Sequence, residues 1–342
     1  MPPATRTSPV SGRYPPVMTV TARPPQASRH RTWPAVAAAA GAATLYGING
    51  SISKVTLAAG LSSPRLSELR VTGALLCLLA VAAGRSKRGG RPRGRELAGL
   101  ITYGLVGVAV VQTLYFVAIQ RLHVGVALLI EFTAPVFIVL WVRFGRGQRV
   151  SRAAWAGLVL SLLGLALVAQ LGTGSRLDVV GVLAGLGAAV GLSVYYLLGE
   201  ALVVRRDVVS VTTWAFAAAA AFWAVVTPWT SFPWRVLTKN VSLTGRLEGW
   251  HAPVWALGAA TVVVGTVLPY LLVLSALRSL PAGRAGILGM LEPVVATVTA
   301  WGWLGEALSP MQLVGGTVLL LGVTLAQLSR TTRPVQGLDA AP

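Results

Sequence analysis

A chain of 342 residues in which 54% are hydrophobic and only 11% are charged has too few charges to cover a water-soluble globule of this size, so it reads as an integral membrane protein. The net charge of +19 does not imply a nucleic-acid partner, because the arginines lie between apolar segments and form no groove-reading or zinc-binding motif. The single cysteine, Cys77, sits inside an apolar run, which excludes an intrachain disulfide and a cysteine metal cluster.

Residues 1–32 are rich in Pro, Ser, Thr and Arg, contain no acidic residue and lack the apolar stretch of a secretory signal. A disordered basic cytoplasmic tail is expected. The same acid-poor composition also suits an organellar transit peptide, although its prolines would break the amphipathic helix such peptides use, and Met18 offers a second start. From Trp33 onward, apolar runs of about 20 residues, the length that spans roughly 30 Å of hydrocarbon, alternate with short polar breaks. Ten helical spans are predicted, near 34–54, 65–84, 97–119, 122–142, 153–171, 179–203, 209–228, 252–276, 281–304 and 310–328. Leu, Ala and Gly dominate them, without the alternating pattern of a membrane β-barrel, so the expected fold is an all-α bundle. The lysines and arginines of the tail, of 85–95 and of 143–152, with Arg205, Arg206, Arg278, Arg284, Arg330 and Arg333, fall on one side of this topology, leaving eight of 29 on the other. The positive-inside rule then puts both termini, including a C-terminal tail at 330–342, in the cytoplasm of a multi-pass plasma-membrane protein.

The chain repeats itself. Shifted by 158 residues, Gly107 to Leu167 lies on Gly265 to Leu325 without a gap, matching Gly107 with Gly265, Leu122 with Leu280, Gly125 with Gly283, Pro135 with Pro293, Ser151 with Ser309, Gly157 with Gly315 and Gly164 with Gly322. Earlier, Gly41 and Gly47 fall on Gly185 and Gly191 at a shift of 144, the difference being absorbed by the longer break around 229–251. Two five-span repeats, 33–172 and 173–329, are therefore expected. An odd number of spans inverts the second copy, the architecture of secondary transporters whose substrate site lies near the midplane.

The segments "EFTAPVFIVLWVRFGRGQRVS", "LEPVVATVTAWGWLGEALSP" and "LGEALSPMQLVGGTVLLLGV" resemble the EamA family of the drug/metabolite transporter superfamily over about 33–328. "GVALLIEFTAP" and "VLPYLLVLSALRSLPAGRAGILGMLEP" are most similar to its threonine/homoserine exporter branch. The resemblance implies a secondary carrier that exports small amino acids or related metabolites. Ser309-Pro310-x-Gln312 also has the form of a capping box starting the tenth helix. The first repeat departs from the pattern, with Gln148 in place of Glu306. Lys54, in "NGSISK", resembles a family lysine and alternatively snorkels to the interface.

Glu131 lies near the centre of the fourth span and Glu292 near the centre of the ninth, three residues apart once the shift is removed, so both are expected on one interior surface. A carboxylate at bilayer depth costs several kcal/mol, which is why such groups serve ions, protons or substrates. The alternative is a structural hydrogen bond to a neighbouring helix near Pro135 or Pro293. Tyr46, Asn49, Gln112, Tyr115, Ser193, Tyr195, Thr266 and Tyr270 lie at similar depth; Gln112 and Tyr270 coincide in the repeat, which suggests a shared cavity position. Singly, such residues more often bridge helices. Substrate or proton binding is thus expected at Glu131, Glu292, Asn49, Tyr46, Gln112, Tyr115 and Tyr270. The glycines at 181, 185, 187 and 191 predict close packing of the sixth helix. Glu68, Glu96, Glu200, Glu306, Asp178 and Asp207 are placed at span ends, in reach of water.

No HExxH, GxSxG or Walker A motif occurs, and His30, His123 and His251 lie in the tail or at span edges, so no enzyme, ATPase or cofactor site is expected. A channel or a non-transporting scaffold of the same ten helices would share the spans, but the charge rings or repeated filter of a pore are not visible. The expected partners are a small-molecule substrate such as an amino acid, a coupling proton or other ion, and the lipid bilayer.

Overall fold

Residues 32–83, 92–145, 147, 150–168, 178–203, 206–277 and 288–331 are described by a computed structural model. The expectations for the tail at 1–31, for Gln148, Arg278 and Arg284, and for the C-terminal end lie outside these residues. Helices dominate: α1 (Thr32–Ala58), α2 (Ser63–Ala83), α3 (Gly94–Arg121), α4 (Val124–Gly145), α5 (Arg152–Val168), α6 (Val179–Val203), α7 (Val208–Val226), α8 (254–277), α9 (291–304) and α10 (Pro310–Thr331). Seven described helices, α1–α4 and α6–α8, are long and apolar enough to cross a membrane; Arg152–Val168 and Pro310–Ala326 are apolar but shorter. Large apolar side chains such as Leu76, Val159, Leu163, Leu183, Val298 and Leu321 face outward, as lipid requires.

Local chemistry sets the helix ends. Asp178 accepts the Gly181 N–H at 2.8 Å, and that bond, with Arg121 nearby, holds its carboxyl below the usual carboxylate range. Asp207 caps α7 through Ser210 N. The capping box of α10 forms as its sequence predicts, with Ser309 Oγ accepting from Gln312 N at 3.2 Å and Gln312 Oε1 from Ser309 N at 3.0 Å. Between α7 and α8 the chain makes a two-stranded antiparallel hairpin, β1 (Asn240–Ser242) with β2 (His251–Pro253), that rests on the end of α9 through Trp303 Nε1 donating to Leu243 O at 2.9 Å.

The 158-residue repeat is visible in the backbone. α3 has a π-helical stretch at Leu105–Val110, and α8 has one at Val263–Val267, the equivalent positions. α4 is one span, as expected near 122–142, but its helix is interrupted at Phe132–Thr133, just before Pro135, which has no N–H to give the helix. The equivalent residue, Met290, is a turn immediately before α9. α5 and α10 pack along their length, backbone against backbone, where Gly157 faces Gly322 and Gly164 faces Gly315. Positions 158 apart thus exchange partners, the contact pattern of a two-fold axis. The α6 glycines do pack closely, Gly181 on Leu122, Gly185 on Ile130, Gly187 on Leu114 and Gly191 on Val111.

Candidate functional site

Polar contacts first establish which helix ends lie together. Lys54 Nζ, near the end of α1, sits 2.5 Å from Glu306 Oε1 and donates to Leu122 O at 2.7 Å, while Glu306 Oε2 accepts the Val124 N–H that opens α4. Ser63 Oγ, at the start of α2, donates to Gln120 Oε1 near the end of α3. Arg65 donates to Glu68 Oε2, to the carbonyls of Thr227, Pro228 and Ser231 and to Ser231 Oγ, tying α2 to the segment after α7. Two expectations change here. Glu68, placed at a wet span end by its sequence position, is 0% exposed and paired with Arg65; Glu306, also placed in water, is largely enclosed by Lys54 and the α4 N-terminus. In both cases the partner comes from another part of the chain, and only folding shows it.

From this end, at 1.5 Å per residue, Glu131 and Arg70 are each about 10 Å deep, Asn49 and Gln112 about 14 Å, and Tyr46 and Glu292 about 18 Å. These depths lie within a bilayer core of roughly 30 Å. Glu131 is 8% exposed and ends the first half of α4; Glu292 is partly buried in the first turn of α9. The two helix breaks therefore place one carboxylate from each repeat in the interior, where the Glu131 charge acts on Glu292. Gly47 makes the approach possible. A side chain there would meet Glu292 O and Ala296 N at 2.9 Å, so α9 starts against the backbone of α1 between Tyr46 and Asn49.

The other expected residues lie on the helices that surround the interior. Tyr46 meets Tyr270 edge to face at 6.4 Å, Tyr270 meets Phe216 at 5.3 Å, and Tyr195, stacked on Tyr103, shares side-chain hydrogen bonds with Tyr103 and Tyr270. Tyr115 reaches Gly50 of α1 and senses the charges of Glu131 and Glu292. Asn49 packs on Gly265, inside the π-helical stretch of α8. Asn49 Oδ1 and Gln112 Oε1 are buried without a hydrogen-bond partner among the described residues. Ser193 has a helix-bridging role, with its hydroxyl 2.9 Å from Ala134 O and 2.7 Å from Ala189 O. Among the described residues no cluster of His, Cys, Asp and Glu is arranged to hold a metal.

Sequence reasoning missed Arg70. It was one of the eight basic residues assigned to the outer side by the charge count, yet it is 6% exposed in the body of α2. Its Nε donates to Thr266 Oγ1 and its Nη2 to Gly265 O, both at 2.6 Å, and its guanidinium lies 5.8 Å from the Phe116 ring centroid. Glu131, Glu292, Tyr46, Tyr115 and Tyr270 all act electrostatically on or with it. The available signal was its register: Arg70 follows Ser63 and Ser67 on one α2 face, and Ser67 pairs with Thr113 at 2.9 Å, so that face is polar and points to α3.

The profile of the EamA-like transporter family matches residues 33–170 and 179–328. The threonine/homoserine exporter RhtA of Escherichia coli (strain K12) is 31% identical over 238 residues, 69% of this chain and 72% of that protein. A probable terminal-alkyne amino-acid exporter of Streptantibioticus cattleyicolor is 30% identical over 270 residues, 78% of this chain and 83% of that one. A solved crystal structure, 22% identical and with a TM-score of 0.50, covers 85% of this chain and 99% of its own and shares the fold.

Proposed function

This chain belongs to the EamA-like transporter family, and from that premise we propose that it is a secondary active transporter that exports small amino acids or related metabolites by alternating access. One observation carries the reading: Glu131 and Glu292, one from each matched half, each lie well inside the helices beside breaks at equivalent positions of the two repeats, and the Glu131 charge acts on Glu292. The full architecture is ten transmembrane helices in two inverted five-helix repeats. The exchanged glycine partners of α5 and α10 and the paired π-helical stretches of α3 and α8 support it. The exporters named among the relatives support an amino acid as cargo.

Glu131 binds either the ammonium of the substrate or the coupling proton as access switches sides, and Glu292 assists from the other repeat. The test is counterflow by the purified protein in liposomes with a panel of amino acids. Saturable exchange is expected, and its absence would leave a scaffold of the same fold. Glu131→Gln keeps the side-chain volume and loses the ionisable group, so it should insert normally and fail in transport driven by a pH gradient. Wild-type rates with unchanged pH dependence would make Glu131 a structural hydrogen-bonding residue.

A further inference from the structure

Arg70 is anchored along one edge only. A guanidinium has five N–H donors in a planar fork. The bonds to Thr266 and Gly265 engage the Nε–H and one Nη2–H, which leaves the Nη1 group and the second Nη2–H without a protein acceptor among the described residues. Among the described residues no carboxylate oxygen comes within 4 Å of it. Burying a cation half-paired is unfavourable unless something completes it. The two carboxylates that act on it, Glu131 and Glu292, are held apart from it rather than joined in an ion pair. The interior thus presents a donor fork and two acidic groups that act on it electrostatically without pairing with it.

The geometry points to Arg70 as the carboxylate-binding residue of the substrate site. The two oxygens of an α-carboxylate match the open Nη1/Nη2 edge, and the ammonium of the same amino acid then faces Glu131 and Glu292. A zwitterion with its ammonium and carboxylate on one carbon fits this arrangement; a simple amine or a simple acid fills half of it. The anchor is as informative as the open edge. Arg70 belongs to the first repeat and its two acceptors to a π-helical stretch in the second, so a carboxylate on the guanidinium bears on the contact between the halves. Asn49, with Oδ1 unpartnered and its side chain against Gly265, borders the same position.

This inference rests on the transporter reading above, and the experiment separates the two. Counterflow is measured in liposomes for the standard amino acids and, for the best exchanged, for competition by its amino alcohol, which keeps the ammonium and lacks the carboxylate. On the wild type the amino alcohol should compete about ten- to a hundred-fold more weakly than the amino acid, the span set by a hydrogen-bonded charge. Arg70→Gln should weaken the amino acid by a similar factor and leave the amino alcohol unchanged. Arg70→Lys, which keeps the charge and loses the fork, should also lose part of the preference. Equal competition by acid and alcohol on the wild type, or an exchanging Arg70 variant with wild-type preference, overturns the role of Arg70 and leaves the transporter reading in place. Absence of any amino-acid exchange by the wild type overturns both. If Arg70→Gln does not fold, the wild-type comparison and Arg70→Lys still decide the matter.

Discussion

The Lys54 ammonium and the Glu306 carboxylate meet 2.5 Å apart across the two repeats, and neither is more than a quarter exposed on its side chain, at 23% and 11%. The same carboxylate accepts the first N–H of α4, where the helix dipole favours a negative charge. Lys54 is therefore not a snorkelling side chain but one side of a joint between α1, α4 and the link that precedes α10. Lys54→Met and Glu306→Gln should each lower the melting temperature in detergent, and the double variant should lose less than the sum, with a coupling of about 1–3 kcal/mol in a double-mutant cycle. Additive losses would reduce the pair to packing. The residues themselves were visible in the sequence as polar interruptions, but their partners were not. An acidic residue near a span end, such as Glu68 or Glu306, reads as wet until the chain that covers it is known. Arg70 was hidden for the same reason: a charge near the start of an apolar run is compatible with either the interface or the interior, and the acceptors on α8 decide which.

At the scale of helices, periodicity and caps were legible while interruptions were not. The apolar runs gave the helices, and the capping box at Ser309 placed the start of α10 correctly. The break at Phe132–Thr133 and the π-helical stretches of α3 and α8 leave little trace in composition, because the residues there are as apolar as their neighbours. They matter because they put Glu131 and Gly265 where they are. The glycine matches at 157, 164, 315 and 322 were legible and now have a physical cause. A side chain at Gly164 would meet the Leu319 backbone nitrogen and stand 2.7 Å from Gly315 O, while one at Gly322 would meet Ser161 N at 2.5 Å. Backbone atoms cannot swing aside as side chains do. Gly164→Val should therefore cost at least the ~1–3 kcal/mol of ordinary overpacking, seen as a lower melting temperature and a poorer monodisperse yield. Gly302→Ala, where a side chain would meet nothing within 4 Å, should leave both unchanged. Equal tolerance at the two positions would show that α5 and α10 do not pack this closely in the membrane.

For the whole molecule, the polar contacts sort the helix ends before any membrane is considered. Lys54 with Glu306, Ser63 with Gln120, Arg65 with Thr227 to Ser231, Arg121 with Asp178 and the 240–253 hairpin with Trp303 gather at one end. Arg206 with Glu96 joins α3 to the α6–α7 link at the other. Helices whose ends alternate between these two sets run antiparallel, as successive membrane crossings must. The contacts leave open which set faces the cytoplasm; by sequence the basic segments 85–95 and 143–152 flank the helices whose ends carry Glu96 and Arg206, and from the positive-inside rule we propose that this end is cytoplasmic and the hairpin external. Gly249 in the hairpin has open space around it, so a cysteine can replace it without a clash. In a Cys77→Ser background, a membrane-impermeant maleimide added to intact cells should label Gly249→Cys and spare Ser86→Cys, which should react only after the cells are opened. Tags at either terminus should also be protected. The reverse labelling pattern would turn the whole molecule over. Gly249→Cys and Ser86→Cys reacting together in intact cells would break the antiparallel order itself, and with it the pairing of the two repeats around Glu131 and Glu292.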